Sequence, residues 1–130
     1  PFSNWKEMEG YYKVIRIWRA STDKPVEVVP GAFVELDLSR RENHPDWQGW
    51  VWCKAEDKEG WVPEQILEFQ AGSSGARARV TCHYTARELS VDEGDLVTII
   101  EMLNGWAWVE NVSNQEQGWV PLQNLLQQNK

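Results

Sequence analysis

Cysteine is scarce in this 130-residue chain, and its two cysteines, Cys53 and Cys82, have no Cys-x-x-Cys spacing. Two readings follow: buried or half-buried free thiols in a reducing compartment, or a disulfide joining two domains. No apolar run approaches membrane-spanning length and no signal-peptide pattern opens the chain, so neither a membrane partner nor export is expected. Positive charge is in deficit. The net charge is −7, with nine Lys/Arg against thirteen Asp/Glu in residues 1–70 and four against seven in residues 71–130. Without a basic stripe the chain is a poor candidate for nucleic acid or an anionic membrane. It also lacks a glycine-rich phosphate loop, a nucleophile elbow and paired carboxylates in a plausible cleft. His44 has no second ligand at metal-binding spacing, and neighbours such as Cys82 and His83 on a strand point to opposite faces. No catalysis, metal or cofactor is expected, and no stretch has the length and period of an ordinary helix.

What the chain has in excess is tryptophan, nine residues of it. Each aromatic buries on the order of 150–250 Å², more in sum than two small cores need, so some of these rings are expected at a recognition surface. The tryptophans fall in a repeat. Gly49-Trp50-Val51-Trp52-Cys53 and Gly60-Trp61-Val62-Pro63 return as Gly105-Trp106-Ala107-Trp108-Val109 and Gly118-Trp119-Val120-Pro121. Each copy alternates with period two and reads as a hairpin whose second strand stops, or lies at an edge, where proline removes a ladder donor.

In chain order, residues 1–10 are a lead-in, residues 11–70 a first domain, Ala71 to Ala76 a small-residue linker, and residues 77–128 a second domain. The first domain reads as a strand over Tyr12 to Trp18, a loop over Ala20 to Pro25, a turn at Pro30-Gly31, and a strand over Phe33 to Leu38. The hairpin follows, and then a helical turn at Pro63 to Ile66. The second repeats this with a turn at Glu93-Gly94 and a helical turn at Leu122 to Asn124. The first loop is three residues shorter in the second copy. The first copy carries an insertion of seven ending near Trp47, an aromatic in a polar loop that is expected to pack against something.

Five short strands, Gly-Trp at the third, Gly-Trp-Val-Pro at the fourth and a helical turn before the fifth resemble the Src homology 3 (SH3) domain, twice over, and more narrowly its variant bacterial type. Tyr84-Thr85-Ala86, Glu88 to Val91 and Glu93-Gly94-Asp95 add to the resemblance in the second copy, as Trp18-Arg19-Ala20 does in the first. The resemblance implies an all-β fold of two five-stranded barrels in tandem. It also implies a shallow groove for a protein or peptide ligand, proline-containing in the standard case. Position by position it places Trp18, Trp50, Pro63, Ile66 and the acidic Asp23 in one groove. It places Tyr84, Trp106, Pro121, Asn124 and the acidic Glu88 in the other. Arg16 and Cys82 stand where the family has its first tyrosine, and Ile66 and Asn124 where it has its last, so one of the two proline pockets should be missing.

Trp50 and Trp106 are read either as ligand-contacting rings or as rings covered by a neighbouring domain. Trp61 and Trp119 are read as structural, Trp52 and Trp108 as cross-strand packing, and Cys53 as a small core filler. The function expected is a non-catalytic, cytoplasmic, bacterial tandem binding module for a protein or peptide. Two alternatives stay open: a module that grips cell-wall peptidoglycan, and a scaffold whose two grooves pack against each other.

Overall fold

The computed structural model of the chain describes residues 10–40, 48–69 and 77–128. Among them run β1 (Tyr12–Val14), β2 (Glu27–Val28), β3 (Phe33–Asp37), β4 (Trp50–Ala55), β5 (Lys58–Pro63), β6 (Leu67–Phe69), β7 (Arg77–Val80), β8 (Tyr84–Thr85), β9 (Leu96–Leu103), β10 (Trp106–Asn111), β11 (Gln117–Pro121) and β12 (Leu125–Gln127). Single 3-10 turns at Glu64–Ile66 and Leu122–Asn124 precede β6 and β12. The fold is all β. Its two five-stranded antiparallel sheets have the orders β5-β4-β3-β7-β6 and β11-β10-β9-β1-β12, and β2 pairs with β8 in a short separate ribbon. Each five-stranded sheet is an SH3-like barrel with its helical turn before the last strand.

The strands form where the sequence alternates. β3 and β7 bury every second residue, Val34 and Leu36 in one and Ala78 and Val80 in the other. β5 and β11 end at Pro63 and Pro121 and lie at sheet edges, where a missing N–H leaves no ladder partner unpaired. Gly31 and Gly94 take φ of 92° and 98° at the two equivalent turns, a region glycine enters without a Cβ clash.

The chain forms two compact units, and they do not follow the sequence-order domains 11–70 and 77–128. One unit joins Pro1–Ala20 to Glu88–Lys130, and the other is the continuous stretch Ser21–Arg87. β1 inserts between β9 and β12, with Tyr12 opposite Val97 and Gln127. β7 inserts between β3 and β6, with Ala78 opposite Val34 and Phe69. Each barrel therefore takes its first strand from the other repeat. The physical reason is that β1 and β7 present the same local pattern. Val14 and Val80 are both fully buried, and each strand is locked by the same bond: Gly94 N–H donates to Val14 O and Gly31 N–H to Val80 O, both at 2.8 Å. The inferred linker 71–76, residues 1–9 of the lead-in 1–10 and Trp47 lie outside the described residues.

The core of the first unit gathers Tyr12, Val14, Leu89, Val91, Val97, Ile99, Ala107, Val109 and Val120. That of the second uses Val26, Val28, Val34, Leu36, Val51, Cys53, Val62, Ala78 and Val80. Cys53 is the expected core filler. Both cysteines are free, but Cys82 is exposed rather than buried or half-buried. Burial pushes the Cys53 thiol up to about 12 from its ordinary value near 9.0. Because the folded state holds this proton more tightly than the unfolded chain, its contribution is complete below pH 9 and is lost as pH rises toward 12. Denaturant titrations above pH 9 should show the native protein losing about 1.4 kcal/mol per pH unit relative to Cys53→Val.

Close packing also fixes two glycines. A Cβ on Gly60 would stand 2.6 Å from the Ala86 Cβ, and one on Gly118 would stand 2.7 Å from the Leu89 backbone nitrogen. Gly60→Ala should cost about 1–3 kcal/mol in equilibrium unfolding. Adding Ala86→Gly should recover much of that loss, whereas Gly118→Ala, which meets backbone, should have no comparable single-residue rescue.

Candidate functional site

The exchange of first strands re-sorts the groove residues. Trp18 enters the unit that holds Trp106, Pro121, Asn124 and Glu88, while Tyr84 enters the unit that holds Trp50, Pro63, Ile66 and Asp23. The aromatic that follows each first strand thus stands on the other repeat's tryptophan hairpin, not on its own as the sequence order implied.

In the discontinuous unit, Trp18 pairs with Val91 across an isolated bridge and meets the Trp106 ring edge to face, centroids 5.2 Å apart and planes at 84°. Its indole Nε1 donates to Glu88 Oε1 at 3.0 Å. Trp106 is only 5% exposed beneath it, so the expected open ring at Trp106 is corrected: the reach of Trp18 across the ring closes this platform with the chain's own side chain. Asn124 is 2% exposed. Its side-chain amide donates to the carbonyls of Arg16 and Ile17 at 3.1 and 3.4 Å, and its own carbonyl accepts from Ile15 N–H at 2.8 Å. Asn124 is therefore a clamp on the strand's exit, not a ligand contact, because a buried amide must satisfy its donors inside. Arg19 completes the arm by donating to Val91 O at 3.0 Å and pairing with Asp92 at 2.6 Å.

The continuous unit differs at the same positions. Trp50 is half-buried, in register with the buried Pro63 on the neighbouring strand. Tyr84 is buried, and its hydroxyl donates to Trp61 O at 2.8 Å. Ile66 is buried in the core, and its carbonyl accepts from both the N–H and the hydroxyl of Thr81, at 2.9 and 3.1 Å. Its main-chain carbonyl does in this unit what that of Asn124 does in the other. Asp23 is exposed, whereas Glu27 is bonded to His83 at 2.9 Å. Pro63 and Pro121 are both fully buried and add little open surface to either platform.

Behind each platform the remaining tryptophans pack as the strand period requires. Trp52 lies opposite Trp61 and Trp108 opposite Trp119, edge to face with centroids 5.0 and 5.4 Å apart. The indole of Trp52 donates to Glu59 at 2.9 Å and that of Trp108 to Gln117 at 3.1 Å. Glu59 and Gln117 are partners of these rings that sequence reasoning missed, although the polar residue immediately before each Gly-Trp-Val-Pro was the available signal. Arg40 was missed too. Its guanidinium lies 3.5 Å from the Trp52 ring centroid and 5.6 Å from that of Trp61, a cation–π contact made by the chain itself. Among the described residues no group of three His, Cys, Asp or Glu is placed to hold a metal ion.

Residues 77–128, 52 of the 130, match the family model described as the variant SH3 domain. No curated protein matches the chain. SH3 domains are generally non-catalytic modules that bind protein ligands, and a variant SH3 match points to a protein-binding module. The matched segment is continuous in sequence yet contributes residues 77–87 to one unit and 88–128 to the other.

Trp18 should act as the cover of Trp106. Trp18→Ala is expected to cost about 2 kcal/mol, from lost apolar burial and the ring pair. It should also red-shift the tryptophan emission and raise acrylamide quenching as Trp106 meets water. Unchanged quenching in a folded Trp18→Ala protein would show that something else covers Trp106.

Proposed function

We propose that the chain is a non-catalytic module that binds a protein or peptide through the Trp50 platform of the continuous unit. The observation that carries this reading is the asymmetry between equivalent rings: Trp50 is half-buried, whereas Trp106 is sealed beneath Trp18. A flat indole edge offers large contact area at little cost in rotamer freedom. Arg16 and Cys82 replace the family's first tyrosine, and Ile66 and Asn124, which replace its last, are both buried. The platform therefore takes one apolar or proline side chain, not the two of a standard SH3 ligand. Exposed Asp23 would favour a basic residue in that ligand. Reduced thiols at Cys53 and Cys82 suit a cytoplasmic setting.

The test is a peptide array followed by titration of the best binders. Trp50→Ala should lower affinity by about tenfold or more, whereas Trp18→Ala should leave it unchanged. Equal binding by Trp50→Ala, or a strict dependence on two prolines at standard SH3 spacing, would overturn the proposal. So would retention of the protein on purified cell walls in preference to any peptide.

A further inference from the structure

We propose that the chain chooses which barrel receives which first strand by the size of one inward residue, Tyr12 in β1 against Ala78 in β7. The other positions within the two strands match. Lys13 and Arg79 occupy the same outward place, and Val14 and Val80 the same fully buried one. Tyr12 lies opposite Val97, and Ala78 opposite the equivalent Val34. Both are buried, at 7% and 0% exposure, yet one is a phenol and the other a methyl group.

The surrounding cores are cut to match. Ala107 and Val51 hold the same place in the two tryptophan hairpins, facing Val120 and Val62 respectively. The barrel that takes Tyr12 has the smaller residue there, Ala107, and the barrel that takes Ala78 has the larger, Val51. Pairing large with small in one core and small with large in the other is what the close packing of protein interiors favours. Returning each strand to its own repeat would put Tyr12 in the core that holds Val51 and Ala78 in the core that holds Ala107. One core would then be overpacked and the other left with a cavity the size of an aromatic ring. The ladder positions of the two strands are equivalent, so within the strands themselves side-chain volume is the difference that decides between the arrangements.

Cross-linking of the full chain reads the strand placement directly, in a Cys82→Ser background to remove the exposed thiol. In the exchanged arrangement Lys13 faces Leu126. In sequence order it would take the place of Arg79 and face Glu68. Facing antiparallel residues have Cα atoms about 4.5–5.5 Å apart, within disulfide range. After dilute refolding and oxidation, Lys13→Cys with Leu126→Cys should close within one chain in more than about tenfold excess over Lys13→Cys with Glu68→Cys, given the packing penalties. Adding Tyr12→Ala makes the first strand resemble the second and should bring the two yields to the same order, by raising the Glu68 product. Equal yields with Tyr12 present would overturn the proposal. So would an unchanged preference after Tyr12→Ala, or a Lys13–Leu126 link found only between two chains.

Discussion

A strand in the middle of a sheet must satisfy its backbone on both sides, and everything distinctive in this protein follows from which segment does so. The gap between β9 and β12 is filled by β1, and the gap between β3 and β6 by β7. A barrel lacking that strand would expose two rows of unpaired amides and carbonyls and lose its inward valine, Val14 or Val80. The requirement is severe, but it is generic: any alternating segment that ends in a buried valine meets it. The backbone demands that the gap be filled, and the side chains determine the filler.

Once the first strands are exchanged, the residues after them go along. Trp18 lands on Trp106, bonds to Glu88 and closes one platform. Tyr84 lands in the unit of Trp50, where its hydroxyl is held by Trp61 O and the Trp50 ring stays half-buried. Two hairpins with nearly the same sequence thus acquire different surfaces. The ring geometry of the hairpins is shared, Trp52–Trp61 and Trp108–Trp119 both packing edge to face. The aromatic that follows the first strand is Trp in one unit and Tyr in the other, and the indole of Trp18 meets the ring of Trp106 edge to face.

Much of this was legible residue by residue. The period-two runs around Trp50 and Trp106, the prolines that end β5 and β11, the turn glycines 31 and 94 and the helical turns at 64–66 and 122–124 all stand where local patterning puts them. The inward turning of Asn124 and Ile66 was not legible, since at the end of a 3-10 turn it depends on what the folded strand beside it offers: the carbonyls of Arg16 and Ile17 for the Asn124 amide, and an apolar core for the Ile66 side chain. Nor was the stacking of Arg40 on Trp52, which joins a loop to a strand that only the folded sheet brings beneath it.

The sequence by itself determined the elements: two copies of a five-stranded SH3-like pattern, a tryptophan hairpin closed by proline in each, and a net charge of −7. Those are consequences of local periodicity and composition, which do not depend on the partner a strand finds. Tertiary structure alone decided the pairing of strands between copies, and with it the burial of Trp106 and the relative opening of Trp50. Backbone hydrogen bonding is indifferent to which of two similar strands it receives, so the choice falls to core volumes that meet only after the chain has closed.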